Sequence, residues 1–296
     1  MATVAQPATL GRRLRRWEGL PYALILPTVA YLGLFFAWPM VQAFELAFRI
    51  DGKWTVAPFR TMANDVNFDH ALRFTLLLVV VIVPIQFVLA LVMALIANAK
   101  LRGRGLFLAI FILPLAISDL AAGLVWQAIL TERGYLNTVL EKVGLIDQEY
   151  IWLDPTKPNH LLIAVVVAEL WRSTAFVMVI FLAGLQGIPH EYTEAAEVFG
   201  AGLFQRVRQV ILPMLKPSIQ VALLFRIIFA FEAFAVVLAI TGRAKTTLAT
   251  EAWRWQAEYF DSHVAAAYSG LILVLSLVSA GLVVWFLRTP REQMLQ

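Results

Sequence analysis

The chain contains no cysteine, so disulfide frameworks, thiolate metal sites and cysteine nucleophiles are excluded. Its four histidines, His70, His160, His190 and His263, lie too far apart in sequence to form a local metal cluster. Charge is also scarce: Asp, Glu, Lys and Arg make up 15% of the 296 residues, while 60% are hydrophobic. Soluble domains run nearer to about 25% charged and about 45–50% apolar. With a mean hydropathy of +0.76, this chain must be solvated by lipid. The net charge of +4 therefore reports on membrane orientation before it reports on nucleic acid, which is not an expected partner.

A spanning helix needs about 20 mostly apolar residues. Six stretches qualify: 22–48, 72–97, 106–130, 160–187, 218–242 and 264–287. The first exceeds the roughly 7–15 apolar residues of a signal-peptide core and has no small-residue cleavage site, so it reads as a retained helix. Cations are densest in the N-terminal cluster Arg12, Arg13, Arg15 and Arg16 and in the short segment with Lys100, Arg102 and Arg104. By the positive-inside rule both termini are expected on the inner side. The expected fold class is an all-α integral membrane protein of six transmembrane helices, multi-pass in the cytoplasmic (inner) membrane. A basic cytoplasmic segment 1–21 precedes a six-helix domain 22–290, and a cytoplasmic tail 291–296 follows. The outer segments 49–71, 131–159 and 243–263 hold Trp54, Trp152, Trp253 and Trp255. These rings suit either headgroup anchoring or a docking face outside the membrane.

One inner connection is long: IPHEYTEAAEVFGAGLFQRVRQVILPMLKP, residues 188–217. Pro189 suits a first helical position, and Glu191 and Glu194 then lie in the first turns, where the helix dipole favours anions. Ala195 and Ala196 keep a smooth face, Gly200 and Gly202 interrupt the helix, and Phe204, Val207, Val210 and Ile211 resume an apolar face. Pro213 and Pro217 mark the expected turn into the fifth span. By itself, this pattern describes an amphipathic interfacial connector.

Its register carries more. Glu194-Ala195-Ala196, three residues, Gly200, nine residues, then Val210-Ile211-Leu212-Pro213 resembles the EAA loop of ABC-importer permeases. Two positions depart from that pattern: Val210 stands for the usual Ile, and Phe199 for the Asp that commonly precedes the Gly. Leu113-Pro114, Trp126, Gly134-Tyr135-Leu136-Asn137, Glu169-Leu170-Trp171-Arg172 and Leu224-Phe225-Arg226 resemble the carbohydrate-importing branch of that family, first-permease type. Ala235 and Thr241-Gly242-Arg243 depart from it.

The resemblance implies a permease subunit and not an enzyme. Its partners would be a second homologous permease, two ATPase subunits, an external solute-binding protein and the lipid bilayer. It also implies that Glu194, Ala195, Ala196, Gly200, Leu212 and Pro213 couple the chain to an ATPase. The chain would bind no cofactor, with ATP and Mg used by the ATPase subunits. The residues agree with that division: the only Gly-Lys pair is Gly52-Lys53, followed by Trp54, so there is no P-loop.

Charges inside hydrocarbon are functional candidates by default. Gln86, Asp119, Glu169, Arg172, Arg226 and Glu232 fall near one depth of the bundle, where transporters usually hold substrate. Asp119, Gly123 and Trp126 share a helix face at i, i+4, i+7. There a carboxylate accepts from sugar hydroxyls, Gly leaves room, and an indole offers a flat apolar surface; helix packing is the competing reading. Glu169 and Arg172, at i, i+3, can pair on their own helix. Glu232, with Phe225 and Phe229, forms a second acid-plus-aromatic stripe. Arg172 and Arg226 keep an anionic cargo in play, so a polyol, a sugar phosphate or another small polar solute is an alternative to a mono- or oligosaccharide.

A different class of function is an ATP-independent secondary carrier or a membrane enzyme. Against the carrier stand the missing internal repeat and the expected absence of paired broken helices. Against the enzyme, His190-Glu191-Tyr192-Thr193-Glu194 has no second His, and there is no Gly-x-Ser-x-Gly elbow.

Overall fold

The computed structural model describes residues 20–99 and 102–287. The arginine cluster at 12–16, Lys100 and the 291–296 tail lie outside the described residues. The first apolar run forms one rod: α1 (Leu20–Leu32), a π-helical turn (Gly33–Ala37) and α2 (Trp38–Phe48). Pro39 accounts for the wide turn. Its nitrogen cannot donate to Phe35, and the ladder re-registers, with Trp38 N–H donating to the Gly33 carbonyl. A two-residue hairpin follows, β1 (Arg49–Ile50) with β2 (Lys53–Trp54), turned by Asp51 and Gly52 at positive φ. Then come α3 (Ala57–Ala63), α4 (Phe68–Asn98), α5 (Arg104–Ile112), α6 (Asp119–Leu130), α7 (Tyr135–Lys142) and α8 (Pro158–Gln186). The remaining helices are α9 (His190–Val198), α10 (Leu203–Arg206), α11 (Leu212–Phe231), α12 (Ala235–Thr241), α13 (Leu248–Ala257) and α14 (Ser262–Phe286).

Among the described residues, five helical rods are long and apolar enough to cross a membrane, and one bent pair makes a sixth. The first, second, fourth and sixth expected spans are found within a few residues of their predicted limits. The third and fifth are not continuous. The run 106–130 is broken by a 3-10 turn, Leu113–Ala116, and the halves Arg104–Ala116 and Asp119–Lys142 meet at 104°. Pro114 and the Ser118 cap, whose hydroxyl accepts from Ala121 N–H at 3.3 Å, start a new helix there.

The fifth run is interrupted at residues 232–234. At its other end it makes no turn at Pro213 or Pro217. Instead α10, a π segment (Val207–Ile211) and α11 form one continuous rod, Leu203–Phe231. Pro213 has no N–H for the Gln209 carbonyl, and the helix widens immediately upstream. Pro189 sits at the N-cap of α9 and not at its first helical position.

α4 and α8 run parallel and form the spine. Ala90, Ala94 and Ala97 pack with Val177, Met178, Phe181, Leu185 and Leu215 in one buried cluster. This stripe of small residues allows close approach of helix backbones. Gly184 does the same against α11: a Cβ there would overlap Ser218 and stand 2.6 Å from Leu215 Cδ1. A second cluster joins Leu78 and Ile82 to Val165, Ala168, Val236 and Ile240, and a third ties Met62 and Ala71 to Leu248, Val264 and Tyr268. The α1–α2 rod lies apart: the 18-residue apolar window of its span is 0% buried, and contact with α14 comes near its C-terminal end.

Candidate functional site

The buried polar groups of the spine form one chain of contacts. Arg226 on α11 reaches between α4 and α8, and is 2% exposed. Its Nη2 donates to Glu169 Oε2 at 3.1 Å, and its Nε donates to Gln86 Oε1. Gln86 Nε2 donates to Ser173 Oγ at 3.0 Å, and Ser173 Oγ donates to the Glu169 carbonyl at 2.6 Å. Arg172 then extends the network outward, with Nη1 2.7 Å from Asp119 Oδ1 and Nη2 3.8 Å from Glu169 Oε2. Two acids face two arginines, so the network is formally neutral.

In this arrangement Arg172 and Arg226 are both paired with acids of the chain itself. The i, i+3 pair Glu169–Arg172 exists, but each partner is closer to a residue on another helix. Gln86 and Glu169 are buried, and Asp119 is the exposed end, with 54% of its side chain accessible. Asp119 opens α6 at the break in the third span, where the helix dipole favours its negative charge.

The other predicted positions separate. Gly123 is buried against α12: an added Cβ would stand 2.7 Å from Ala239 Cβ and 3.0 Å from Val236 Cα. The room it leaves is thus filled by a helix. Trp126 is half-buried, meets Trp171 edge-on at 6.1 Å, and its Nε1 has no partner among the described residues. Glu232 is exposed and lines a groove of about 350 Å³ with Ile228, Ser269 and Ser276, on a different face from Arg226. Of Trp54, Trp152, Trp253 and Trp255, two are structural ties: Trp152 Nε1 donates to Asn137 Oδ1 and Trp255 Nε1 to Asp65 Oδ2. Ser173 and Thr174 were not anticipated. Hydroxyls in an apolar run carry no distinctive pattern, and only the neighbouring Gln86 reveals their role.

In the 188–217 segment, α9 carries Glu194 and Ala195 exposed and Ala196 half-buried. The helix ends in a Schellman motif: Gly200 N–H donates to the Glu197 carbonyl and Ala201 N–H to the Ala196 carbonyl, both at 2.9 Å. Gly200 has φ +79°, which explains the glycine by backbone conformation and not by crowding. An ion pair, Arg206–Glu197, ties α10 back to α9. At the tip, Val198 and Phe199 are 86% and 89% exposed, followed by exposed Leu203 and Phe204. Leu212 packs against the cluster that holds Ala97 and Phe181, and Pro213 is exposed.

Residues 86–292 match the family described as the binding-protein-dependent transport system inner membrane component. The chain is 30% identical over 269 residues to the trehalose/maltose transport system permease protein MalF of Thermococcus litoralis, covering 87% of this chain and 90% of that one. It is 28% identical over 269 residues to the sn-glycerol-3-phosphate transport system permease protein UgpA of Agrobacterium fabrum, covering 86% and 90%. A bacterial ABC transporter structure involved in import of the acidic polysaccharide alginate shares the fold, with TM-score 0.77 and 22% identity over 94% of this chain and 98% of that one. The chain therefore belongs to the family of inner-membrane permease components of binding-protein-dependent ABC transport systems.

Proposed function

We propose that this chain is a permease subunit of an ATP-driven importer that moves a carbohydrate delivered by an external solute-binding protein. Its termini would face the cytoplasm, and segment 188–217 would couple it to ATPase subunits that bind ATP and Mg. The observation that carries the coupling reading is the exposed tip of α9. Val198 and Phe199 at the end of α9 and Leu203 and Phe204 at the start of α10 are uncovered by the chain itself, beside exposed Glu194, and the two helices are held by a Schellman cap and the Arg206–Glu197 pair. A rigid, apolar-tipped helix is suited to seating in a cleft of another subunit, and exposure of this kind marks an interaction site. The α1–α2 rod supports a second permease as partner, since its apolar window is unburied and its contacts with α14 lie near its C-terminal end, which leaves an apolar face to cover.

For the cargo pathway, the reading centres on Asp119. It combines an exposed carboxylate, a helix start at a break in the span and the neighbouring indoles of Trp126 and Trp171. Broken spans at mid-depth are where transporters place polar substrates. The named activities of the trehalose/maltose and glycerol-phosphate relatives support a sugar or sugar phosphate. The breaks in the third and fifth spans remove one argument against a secondary carrier, and the family match replaces it.

The test is uptake and ATPase activity in vesicles carrying the full complex. Glu194→Lys is expected to abolish uptake while the chain still inserts, and Asp119→Asn to weaken uptake while the complex still assembles. Wild-type uptake by an assembled Glu194→Lys complex would refute the coupling reading, and wild-type uptake by Asp119→Asn would refute the pathway assignment.

A further inference from the structure

A second polar site lies at the other end of the spine, where α4 and α8 both begin. A pocket of about 360 Å³ opens there, lined by Asn67, His70, Arg73, Asn159, Arg243 and Lys245 among others. Pockets of this size hold small ligands. His70 and Arg73 lie at i, i+3 on one face of α4. Arg243 and Lys245 come from the turn after α12, which is fixed: Gly242 has φ +57°, Thr241 Oγ1 donates to the Lys245 carbonyl at 2.7 Å, and Ala244 N–H donates to the Thr241 carbonyl at 3.0 Å.

The charge in this pocket is one-sided. Among the described residues, no carboxylate lines it. Arg243 Nη2 meets Glu258 at 3.2 Å, outside the lining, and the side chains of Arg73, His70 and Lys245 have no hydrogen-bond or ion-pair partner among the described residues. The starts of α4 and α8 add helix dipoles of the same sign. Like charges gathered in a concavity repel unless an anion joins them. The central network shows the opposite balance, with every arginine matched by an acid. Gln86 lies thirteen positions after Arg73, about 20 Å along the helix, so the two sites are distinct.

We propose that this pocket binds an anionic oxo group, a phosphate or carboxylate, on a small molecule. Guanidinium and ammonium donors converging from two elements match the geometry of such a group. Two sources share this chemistry, a soluble acidic solute and an anionic lipid headgroup. The proposal does not depend on the transport reading, because binding is measured on the purified chain.

The full-length protein is reconstituted in phosphatidylcholine nanodiscs. One arm titrates glycerol 3-phosphate and galacturonate against glycerol and galactose by calorimetry. The other uses nanodiscs of equal phosphatidylcholine and phosphatidylglycerol and counts each lipid retained by native mass spectrometry. At least one anion is expected to bind about tenfold or more better than its neutral counterpart. Arg73→Gln/Lys245→Gln is expected to erase that preference with an unchanged gel-filtration profile. Arg243→Gln alters a side chain that is 80% exposed and is expected to weaken binding without any effect on folding. Preference for the soluble anions alone identifies a solute site, and preference for phosphatidylglycerol alone a lipid site. No preference in either arm, or full anion binding by Arg243→Gln and the double variant, overturns the proposal.

Discussion

Replacing Arg226 with Met tests the central network most severely. The guanidinium is 2% exposed, and its loss leaves Glu169 buried at 3% exposure with Arg172 at 3.8 Å as its remaining cation. Arg172 is itself committed to Asp119 at 2.7 Å. Gln86 Oε1 loses its donor in the same step. Removing one partner of a buried ion pair costs about 3–5 kcal/mol, because the remaining charge has no compensation.

Replacing both members with apolar residues, Glu169→Leu with Arg226→Met, restores neutrality, since Arg172 and Asp119 still balance. The double variant is therefore expected to be more stable than Arg226→Met alone, the reverse of additivity. Thermal melting of the purified chain in mild detergent, followed by gel filtration, reads both effects. Arg226→Met melting with the wild type would refute the reasoning, as would a double variant that loses the sum of the two single losses.

Gly184→Val should destabilise by about 1–3 kcal/mol through overpacking against Leu215 and Ser218; melting of the wild-type protein and the variant at equal expression checks it. Gly200→Ala should cost about 1 kcal/mol of local strain at φ +79°, seen as faster proteolysis of segment 188–217 with an unchanged melting point of the bundle. Asp154 is held below the usual carboxylate range by the Thr156 hydroxyl and then by the Thr156 backbone N–H. A depressed folded pKa stabilises above the unfolded value and is lost as pH falls through the folded one. Asp154→Asn should accordingly release the 143–157 segment to protease near neutral pH, and the difference from wild type should shrink below pH of about 4.

Hydropathy located four spans because Leu- and Val-rich runs leave little choice of element, and α9 was located by Pro189 at its start, Glu191 in its first turn and Gly200 at its end. It did not see the breaks in the third and fifth spans. Pro114, Ser118 and the 232–234 stretch sit inside runs that remain apolar through the bend, and composition does not record an angle. The charged residues near mid-depth were likewise readable one by one, and so was the i, i+3 pair Glu169–Arg172, but the pairs across helices were not. Asp119 meets Arg172, and Glu169 meets Arg226, across different helices, and the rotation that aligns them is set by packing such as Gly184 on Ser218 and Gly123 on Ala239. The basic pocket escaped for the same reason. Its cations are separated by some 170 positions in sequence and meet only where α4, α8 and the turn after α12 converge.

The central claim is that this chain is one part of an ATP-driven assembly, and co-purification tests it most directly. The tagged protein is extracted from its native membranes in mild detergent, and the accompanying chains are identified by mass spectrometry. The account predicts recovery of a P-loop ATPase and a second multi-span permease, with Glu194→Lys losing the ATPase and keeping the permease. Recovery of this chain alone, active in reconstituted vesicles without ATP, would contradict it.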